Sequence, residues 1–273
     1  LHASLAPSEM CIRDSSKAEA HTLVARDGQS LPDAWREAGL NPDLMGPDDV
    51  LLEASCFVEL HVEQGRGLAD VGHPVAIATA VRPHGRWRAE FTGQGNHAGT
   101  TLIPDRHDPV VPMAQTILAA REAAEREGCV TTVGRINVEP GGTNVIASAA
   151  TMWLDCRAEE SQTVTKVVED IQQASETAAD KQGCQVVWTR ESWTDRTAFD
   201  LRARMLQILG EDIPQLSTGA GHDAATLATT MPTGMLFVRN PTGASHCPAE
   251  SASDADCEAG AEALQTVLEE LVK

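Results

Sequence analysis

The sequence has no long apolar run, no closely spaced pair of cysteines and few lysines. No segment approaches the roughly twenty consecutive apolar residues that a membrane-spanning helix requires. The seven cysteines are scattered and form no C-x-x-C pair, which argues against a disulfide framework and against a structural zinc knuckle. We therefore expect a protein of a reducing compartment, with the cytoplasm as the default location.

Positive charge is also scarce. The chain has 21 Lys and Arg residues against 40 Asp and Glu residues, which gives a formal net charge of −19 at pH 7. Nucleic acids and anionic membranes are polyanions, so this charge argues against both as partners. Only four of the basic residues are lysines, a pattern that fits either a salt-adapted organism or ordinary variation among acidic proteins.

The length of 273 residues allows one or two domains. The first residue is leucine and the first methionine is Met10, so we expect the sequence to be an N-terminally truncated part of a longer protein. Residues 1–15 show no convincing period and carry no fold argument. Further on, residues 31–38 are predicted to form a short helix, with Ser30 as its N-cap and Gly39 as its end.

The first predicted segment, residues 1–81, contains a polar strand. Side chains alternate along residues 57–64, which places Phe57, Glu59, His61 and Glu63 on one face of a strand. An imidazole between two carboxylates has the composition of a divalent metal site. Taken alone, however, such a pattern is more often a solvent-exposed strand face that carries a histidine.

The middle segment, residues 82–195, has a βαββαβ pattern. A strand around residues 86–91 is followed by a helix that starts at Asp108-Pro109 and ends at Gly128. Strands are predicted at residues 130–138 and 145–157, then a helix that ends at Gly183 and a strand at residues 185–188. This order predicts an antiparallel sheet with two helices on one face, the ferredoxin-like arrangement.

The last segment, residues 196–273, returns to alternating helices and strands. It has a predicted helix near residues 198–209, an apolar strand at Met235–Val238 and a closing amphipathic helix. The fold class predicted is therefore α/β, with one α/β domain split by the insertion of the βαββαβ unit.

Four loops combine glycine with polar side chains, and each contains a histidine. They carry His61 with Gln64, then His97, His222 and His246, which are four of the nine histidines. A single loop histidine is usually structural or merely exposed. Four of them in loops of this composition favour a metal site or an acid–base site.

Six motifs that occur in order give the chain a specific resemblance. They are Glu59-Leu-His61-Val-Glu63-Gln64-Gly65, Asn96-His97-Ala-Gly-Thr-Thr with Arg106 following, Asn144-Val-Ile, Leu154-Asp-Cys-Arg157, Gly219-Ala-Gly-His222-Asp-Ala, and Ser245-His246-x-Pro-x-Glu250. Together they resemble the family of N-carbamoyl-L-amino-acid hydrolases, allantoate amidohydrolases and β-ureidopropionases. That family belongs to the dinuclear-metal aminoacylase and carboxypeptidase superfamily.

The resemblance implies a metallopeptidase-like catalytic domain and two divalent metal ions. Such a pair activates a water molecule for attack on a ureido or amide carbon. His61 and His246 match two of the family's metal ligands. Imidazole and carboxylate ligands suit zinc, manganese, cobalt or nickel, and the sequence does not choose among them.

The resemblance also implies substrate contacts on both parts of the chain. Arg157 would clamp the substrate carboxylate together with Asn144, a task that suits a planar guanidinium. The alternative for Arg157 is a structural ion pair with Asp155 on the same strand face. Gln64 and the Gly221-His222 pair would hold the ureido end of the substrate.

The inserted domain is expected to act as a lid and as the dimerisation element. His97 on this domain would reach the reacting oxygen from the partner subunit and stabilise the developing negative charge. A homodimer is therefore implied, with a small carboxylate as substrate.

The sequence departs from the family in part of the metal site. It lacks the Gly-Ser-His-x-Asp motif, the aspartate in an Asp-Gly turn and the paired glutamates that the family places before the first motif. With two of five ligands and no general base, we expect the polypeptide as written to be inactive. The alternatives are an aminoacylase or exopeptidase of the same superfamily, which the histidine at position 61 disfavours, and a non-catalytic dimerisation module.

Overall fold

The computed structural model describes residues 16–25, 28–46 and 53–273. The chain divides into two compact units. The first unit contains the described residues up to Thr79, Ala198–Leu216 and Gly221–Lys273, and the second contains Ala80–Thr197 and Ser217–Ala220. The predicted segments differ from this division mainly at Ser217–Ala220, which were predicted to belong with the last segment.

The first unit opens with short helices whose ends are set by their caps. Helix α1 spans Lys17–Ala20, helix α2 spans Leu31–Glu37, and a 3-10 turn covers Pro42–Leu44. The Ser30 hydroxyl caps α2 by accepting from the backbone N–H of Asp33 at 3.2 Å. The helix predicted after Ser30 is confirmed, since a serine N-cap satisfies a backbone donor that lacks a helical partner.

A mixed sheet drawn mainly from residues of the first unit forms its centre. Its strands are β1 (Phe57–Val62), β2 (Val75–Val81), β9 (Thr197–Ala198), β10 (Gln215–Thr218) and β11 (Thr233–Val238). Their order is β1-β11-β2-β10, with β9 paired to β2. Strand β1 runs parallel to β11, and β11 runs antiparallel to β2. Every residue of β11 is buried, as expected for a strand covered on both faces.

Four helices complete the first unit: α3 (Gly67–Val71), α6 (Arg202–Leu209), α7 (Asp223–Leu227) and α8 (Asp254–Leu271). A core of aliphatic side chains links the sheet to α6 and α8, with Ile77, Met205, Leu236 and Val267 fully buried. Burial of side chains of this size stabilises a fold by about 1.5–3 kcal/mol each. The sheet therefore holds the loops at its strand ends on a rigid base.

The second unit is a four-stranded antiparallel sheet with two long helices. Its elements follow one another as β3 (His84–Thr92), α4 (Val110–Glu127), β5 (Val130–Glu139), β7 (Ala149–Arg157), α5 (Ser161–Lys181) and β8 (Gln185–Thr194). The strand order is β5-β7-β3-β8, and all neighbours are antiparallel. This is the βαββαβ arrangement expected from the sequence, and the predicted α/β class is confirmed.

The segment predicted as one strand at residues 145–157 is broken at Ala147-Ser148. Its first part, β6 (Val145–Ile146), pairs with β4 (Asn96–His97) to form a separate ribbon. The backbone N–H of Ser148 donates to the Glu139 carbonyl at 2.9 Å, and its carbonyl accepts from Gly93 at 3.0 Å. The break thus redirects the chain before β7 joins the main sheet.

Polar contacts explain why Ser217–Ala220 belong with the second unit. The Ser217 hydroxyl lies 2.8 and 2.9 Å from the two carboxylate oxygens of Glu159, and it accepts from Arg82 Nε at 2.9 Å. The backbone N–H of Arg82 also donates to the Thr218 carbonyl at 2.8 Å.

Within residues 16–25, 28–46 and 53–273, no helix has the length and apolar character needed to cross a membrane.

Candidate active site

His61 lies near the end of β1, beside Phe237 of the parallel neighbour β11. Its Nδ1 is 2.7 Å from the carbonyl oxygen of Val62. A carbonyl oxygen only accepts hydrogen bonds, so this contact places the ring proton on Nδ1. The lone pair of the neutral ring is then on Nε2, where it is available to a metal ion.

Three groups that bind metals converge around this ring. Ligand atoms of Glu59, His61 and His222 all lie within 4.8 Å of one another. The His61 and His222 rings are 4.7 Å apart between centroids and meet edge to face at 76°. His222 is buried and occupies the N-cap position of α7.

Glu59 orients His222 within this cluster. One oxygen, Oε2, accepts from the backbone N–H of Ala224 at 2.8 Å, and the other, Oε1, lies 3.4 Å from His222 Nδ1. Burial by itself raises the pKa of Glu59, but the hydrogen bonds from His222 and Ala224 outweigh it and lower this pKa below its usual value. The carboxylate is therefore ionised near neutral pH.

The composition of the cluster fits a divalent transition metal. Two imidazoles and one carboxylate form a common ligand set for zinc, and the same donors accept manganese, cobalt or nickel. The hydrogen bond that fixes His61 through Nδ1 is the kind of outer contact that orients a metal-bound imidazole. The residues present thus fit the metal that the resemblance implies, although the resemblance gives Glu59 no role as a ligand.

Gln64 and His246 form a second contact in the first unit. Gln64 Nε2 lies 3.2 Å from His246 Nε2. His246 is exposed, has a φ of 57°, and donates its backbone N–H to Glu250 Oε2 at 2.9 Å. His246 is not part of the group of Glu59, His61 and His222, and its contact is with the predicted substrate residue Gln64.

In the second unit the structure brings His97 and Asn144 together. His97 pairs with Val145 in the β4–β6 ribbon, and Ala98 donates its N–H to the Asn144 carbonyl at 3.1 Å. The backbone N–H of Gly99 donates to His97 Nδ1 at 3.1 Å. Because that nitrogen accepts, a neutral His97 carries its proton on Nε2 and presents an N–H donor. His61 and His97 thus hold opposite tautomers.

Arg157 ends strand β7 and is engaged by Asp155. Its Nε and Nη2 lie 2.7 and 2.9 Å from the two oxygens of Asp155, and its Nη1 donates to the Gly219 carbonyl. Burial alone raises the pKa of Asp155, but the bonds and charges of Arg157 and Arg86 outweigh it and lower this pKa. The ion pair considered as an alternative is therefore present.

That ion pair still leaves donors on the guanidinium. A guanidinium has five N–H donors, and the three contacts above use three of them. Asp155 occupies the side formed by Nε and Nη2, so one hydrogen on each of Nη1 and Nη2 is not used by these contacts. The side chain of Arg157 is 27% exposed, which is compatible with a bound carboxylate as well as the ion pair.

The predicted site residues fall into two groups, one in each unit. His61, Gln64, Gly221, His222 and His246 belong to the first unit, and His97, Asn144 and Arg157 belong to the second. Gly221 is exposed and directly precedes the buried His222. Glu59 and Glu63 share the His61 strand face, which is the sequence signal for their place near it, and the family motifs gave neither of them a role.

Glu63 has a structural role at the end of β1. Its carboxylate is buried and accepts from the backbone N–H groups of Gly67 and Leu68 at 2.6 and 2.9 Å. It therefore caps the start of α3 and fixes the turn that contains Gln64.

Comparisons with known proteins show which family the chain resembles. A profile of "Peptidase family M20/M25/M40" matches residues 39–270. The chain is 37% identical over 254 residues to an N-carbamoyl-L-amino acid amidohydrolase of Geobacillus stearothermophilus, covering 89% of this chain and 61% of that protein. It is 28% identical over 265 residues to an allantoate amidohydrolase of Escherichia coli, covering 93% and 63%. The chain thus spans a little over three-fifths of these relatives.

Solved structures show the same likeness. The crystal structure of AtUAH in complex with glyoxylate superposes with a TM-score of 0.79 at 28% identity, covering 96% of this chain and 66% of that one. The match to the profile extends over most of the chain and includes both units. The chain therefore belongs to the peptidase family M20/M25/M40.

Proposed function

We propose that the protein is a metal-dependent hydrolase of non-peptide carbon–nitrogen bonds in linear ureido compounds. N-carbamoyl amino acids, allantoate and ureidopropionate are the substrate candidates, because each presents a carboxylate and a cleavable carbon–nitrogen bond. The observation that carries the proposal is the convergence of Glu59, His61 and His222 within 4.8 Å. A solvent-exposed polar strand face does not require two imidazoles and a carboxylate to converge in this way.

His61 and His246 are the proposed metal ligands, with Glu59 and His222 next to the first of them. The resemblance implies two divalent ions, which would supply an activated water and a polarised carbonyl group. The tautomer of His61 supports its role as a metal ligand, since the Val62 carbonyl holds Nδ1 and leaves Nε2 available. The half-buried carboxylate of Glu59 gives further support, because it holds His222 in place next to His61.

Arg157 and Asn144 are the proposed carboxylate-binding pair. Asp155 holds the guanidinium of Arg157 in one orientation through two hydrogen bonds. An arginine whose orientation is fixed beforehand loses less side-chain entropy on binding a carboxylate. Gln64, Gly221 and His222 are proposed to contact the ureido end, where amide and imidazole groups complement its N–H and carbonyl groups.

His97 is proposed to stabilise the negative charge that develops on the reacting oxygen. Its Nδ1 accepts from Gly99, so the neutral ring presents the Nε2–H donor that an oxyanion requires. A histidine with the other tautomer would present a lone pair instead. The contact with Gly99 therefore supports this role, because it sets the tautomer of the neutral ring.

We also propose a cytoplasmic homodimer that forms through the second unit. Val130 and Ile136 on the edge strand β5 are each 57% exposed, and Leu118 on the neighbouring helix α4 is 64% exposed. Apolar side chains at a sheet edge favour association with another chain. Sedimentation should show a dimer that Ile136→Lys weakens, and a wild-type monomer would contradict this proposal.

The function is tested by metal-dependent ligand binding. Calorimetry with Mn²⁺ or Zn²⁺ should show that N-carbamoyl amino acids bind more tightly than the free amino acids and dipeptides, and that His61→Ala abolishes the metal dependence. Preferred binding or cleavage of dipeptides or N-acyl amino acids would favour the exopeptidase or aminoacylase alternative. Absence of any metal-dependent ligand binding would favour a non-catalytic dimerisation module.

Turnover by the 273-residue polypeptide is a separate question. Before Glu59, the sequence contains neither the Gly-Ser-His-x-Asp motif nor the paired glutamates that the resemblance implies at that place. We therefore expect weak metal binding and no measurable hydrolysis of N-carbamoyl amino acids. Hydrolysis by this polypeptide would contradict that expectation while it supported the proposed function.

A further inference from the structure

Asn240 is a fully buried polar side chain that follows strand β11. Its Nδ2 donates to the carbonyl of Glu63 at 3.2 Å and to the carbonyl of Ala244 at 2.7 Å. Its Oδ1 accepts from the N–H of Thr242 at 3.1 Å, from the Thr242 hydroxyl at 2.7 Å and from the N–H of Gly243 at 3.2 Å. Both donors and the acceptor of this side chain are therefore used.

An asparagine is the side chain that this pattern requires. The position needs two N–H donors and one acceptor in a compact group, and aspartate has no donor when ionised. An apolar side chain of similar size would leave several buried backbone groups without a partner, each at about 1–3 kcal/mol. The network thus joins the 242–246 loop, through Thr242, Gly243 and Ala244, to the end of β1.

The end of β1 is itself fixed by Glu63. The carboxylate accepts from Gly67 and Leu68, as described above. A Cβ at Gly65 or Gly67 would lie 3.0 or 3.1 Å from Glu63 Oε1, so glycine at both positions allows this close approach. Asn240 therefore attaches its loop to a turn that is already rigid.

A second contact holds the loop on the same turn. Gly243 has a φ of +65°, and a Cβ built there would collide with the side chain of Arg66. Only glycine combines that backbone conformation with such an approach. The loop therefore packs directly against the residue that follows Gly65.

The contacts of Asn240, Glu63 and Gly243 lie on either side of Gln64 and close to His246 in the sequence. Gln64 lies between Glu63 and Gly65, and His246 lies two residues after Ala244. Gln64 Nε2 and His246 Nε2 are 3.2 Å apart. The side chain of His246 is exposed, and its backbone N–H is held by Glu250 at 2.9 Å, so the place of the imidazole depends on where this loop lies.

We propose that Asn240 is a positioning residue that locks the 242–246 loop onto the end of β1 and so keeps His246 beside Gln64. The role rests on the proposed function, in which His246 is a metal ligand and Gln64 contacts the substrate. Asn240 itself touches neither the metal nor the substrate. It acts through the Glu63 and Ala244 carbonyls.

Two variants disturb the loop in different ways. Asn240→Asp preserves the shape and the acceptor but removes both donors. Gly243→Ala leaves the Asn240 side chain intact and pushes the loop away from Arg66. Val267→Ala is the control for lost stability, since Val267 is fully buried in the core of the same unit, and His246→Ala gives the value expected when this ligand is absent.

Two readouts separate positioning from folding. Co²⁺ affinity is measured by competition with a chromophoric chelator, and the ring nitrogens of His246 are followed by NMR without metal. Asn240→Asp and Gly243→Ala should each weaken Co²⁺ binding by about 10- to 100-fold and shift or broaden the His246 signals. Val267→Ala should lose stability while both readouts stay as in the wild type.

The outcomes separate a failure of the positioning role of Asn240 from a failure of the metal-ligand assignment of His246. If His246→Ala weakens Co²⁺ binding but Asn240→Asp and Gly243→Ala do not, the positioning role is overturned and the ligand assignment stands. If Val267→Ala weakens Co²⁺ binding as strongly, the effect is one of general stability and the role is also overturned. If His246→Ala binds Co²⁺ like the wild type, the ligand assignment of His246 itself fails.

Discussion

Glu59 and His222 form a carboxylate–imidazole pair in which Glu59 Oε1 lies 3.4 Å from His222 Nδ1. The second carboxylate oxygen is held by the Ala224 N–H at 2.8 Å. Because α7 begins at Asp223, the pair ties the start of this helix to strand β1. The buried imidazole thus has a fixed orientation next to His61.

Replacing Glu59 by glutamine should weaken metal binding. The amide has nearly the same shape but no negative charge, so it neither holds His222 as firmly nor attracts a cation. We expect the affinity for Zn²⁺ or Co²⁺ to fall by about 10- to 100-fold. Competition with a chelator measures this change, with Glu90→Gln on the second unit as a control. Equal affinities of the wild type and the Glu59 variant would contradict a role for this carboxylate at the metal.

His61 and His97 should show opposite tautomers in long-range nitrogen–proton NMR spectra. The Val62 carbonyl places the proton of His61 on Nδ1, and the Gly99 N–H leaves that of His97 on Nε2. The spectra should be recorded without metal and above the pH at which the rings charge. The variants His61→Gln and His97→Gln assign the signals. The same tautomer for both rings would remove the argument for their different roles.

Asp155→Asn should weaken the binding of substrate carboxylates. The variant loses one charged partner of Arg157, so the guanidinium is no longer held in one orientation. We expect about a tenfold loss of affinity for an N-carbamoyl amino acid, equivalent to about 1.4 kcal/mol. Calorimetry measures it, and Arg157→Lys should lose at least as much.

Arg86→Gln is the matched control for that prediction. Arg86 contacts Asp155 at 3.3 Å, so its removal disturbs the same carboxylate without touching Arg157. Its affinity should stay near that of the wild type. Tighter carboxylate binding by Asp155→Asn would show that Asp155 acts only as a competing negative charge.

Asp256 should stabilise the first unit in a pH-dependent way. Burial alone raises its pKa, but hydrogen bonds from Ser253 and Arg239 outweigh it and lower the pKa below the usual value of 3.8. A lowered folded pKa means that the stabilisation is complete above the unfolded value and is lost as the pH falls through the folded one. Asp256→Asn should therefore reduce the free energy of unfolding by about 1–3 kcal/mol near neutral pH.

Urea unfolding of the wild type and of Asp256→Asn tests this expectation. The difference between them should be constant around about pH 6 and should shrink below about pH 4. Ser253→Ala, which removes the N-cap hydroxyl of α8, should cost about 1 kcal/mol. A difference that grows on acidification would contradict the lowered pKa.

Sequence patterns predicted the elements whose two faces differ in polarity. Strand β7 alternates buried and half-buried residues, and α5 has one apolar stripe with Val164, Val167, Val168 and Ile171 buried. Strand β2 was not predicted, because its residues Val75–Val81 are almost all buried and show no alternation. The division of residues 145–157 was missed because its cause is a pair of long-range hydrogen bonds at Ser148.

Part of the candidate site could likewise not be predicted from local sequence patterns. The histidines of the glycine-rich loops could be recognised from the composition of those loops, and the family motifs identified the individual site residues. The roles of Glu59 and Asn240 depend on partners 165 and 177 positions away along the chain. No local pattern encodes such a distance, so these roles emerged only from the folded arrangement.

The parallel pairing of β1 with β11 also bears on the order of folding. Phe57 pairs with Thr233, whereas the sheet of the second unit is drawn wholly from residues 84–194. Loop closure over so long a separation is slow, and segments made first fold first during synthesis. We infer that the second unit folds before the first. His61 and His222 would then meet late, so the ability to hold a metal ion would mark a chain that has finished folding.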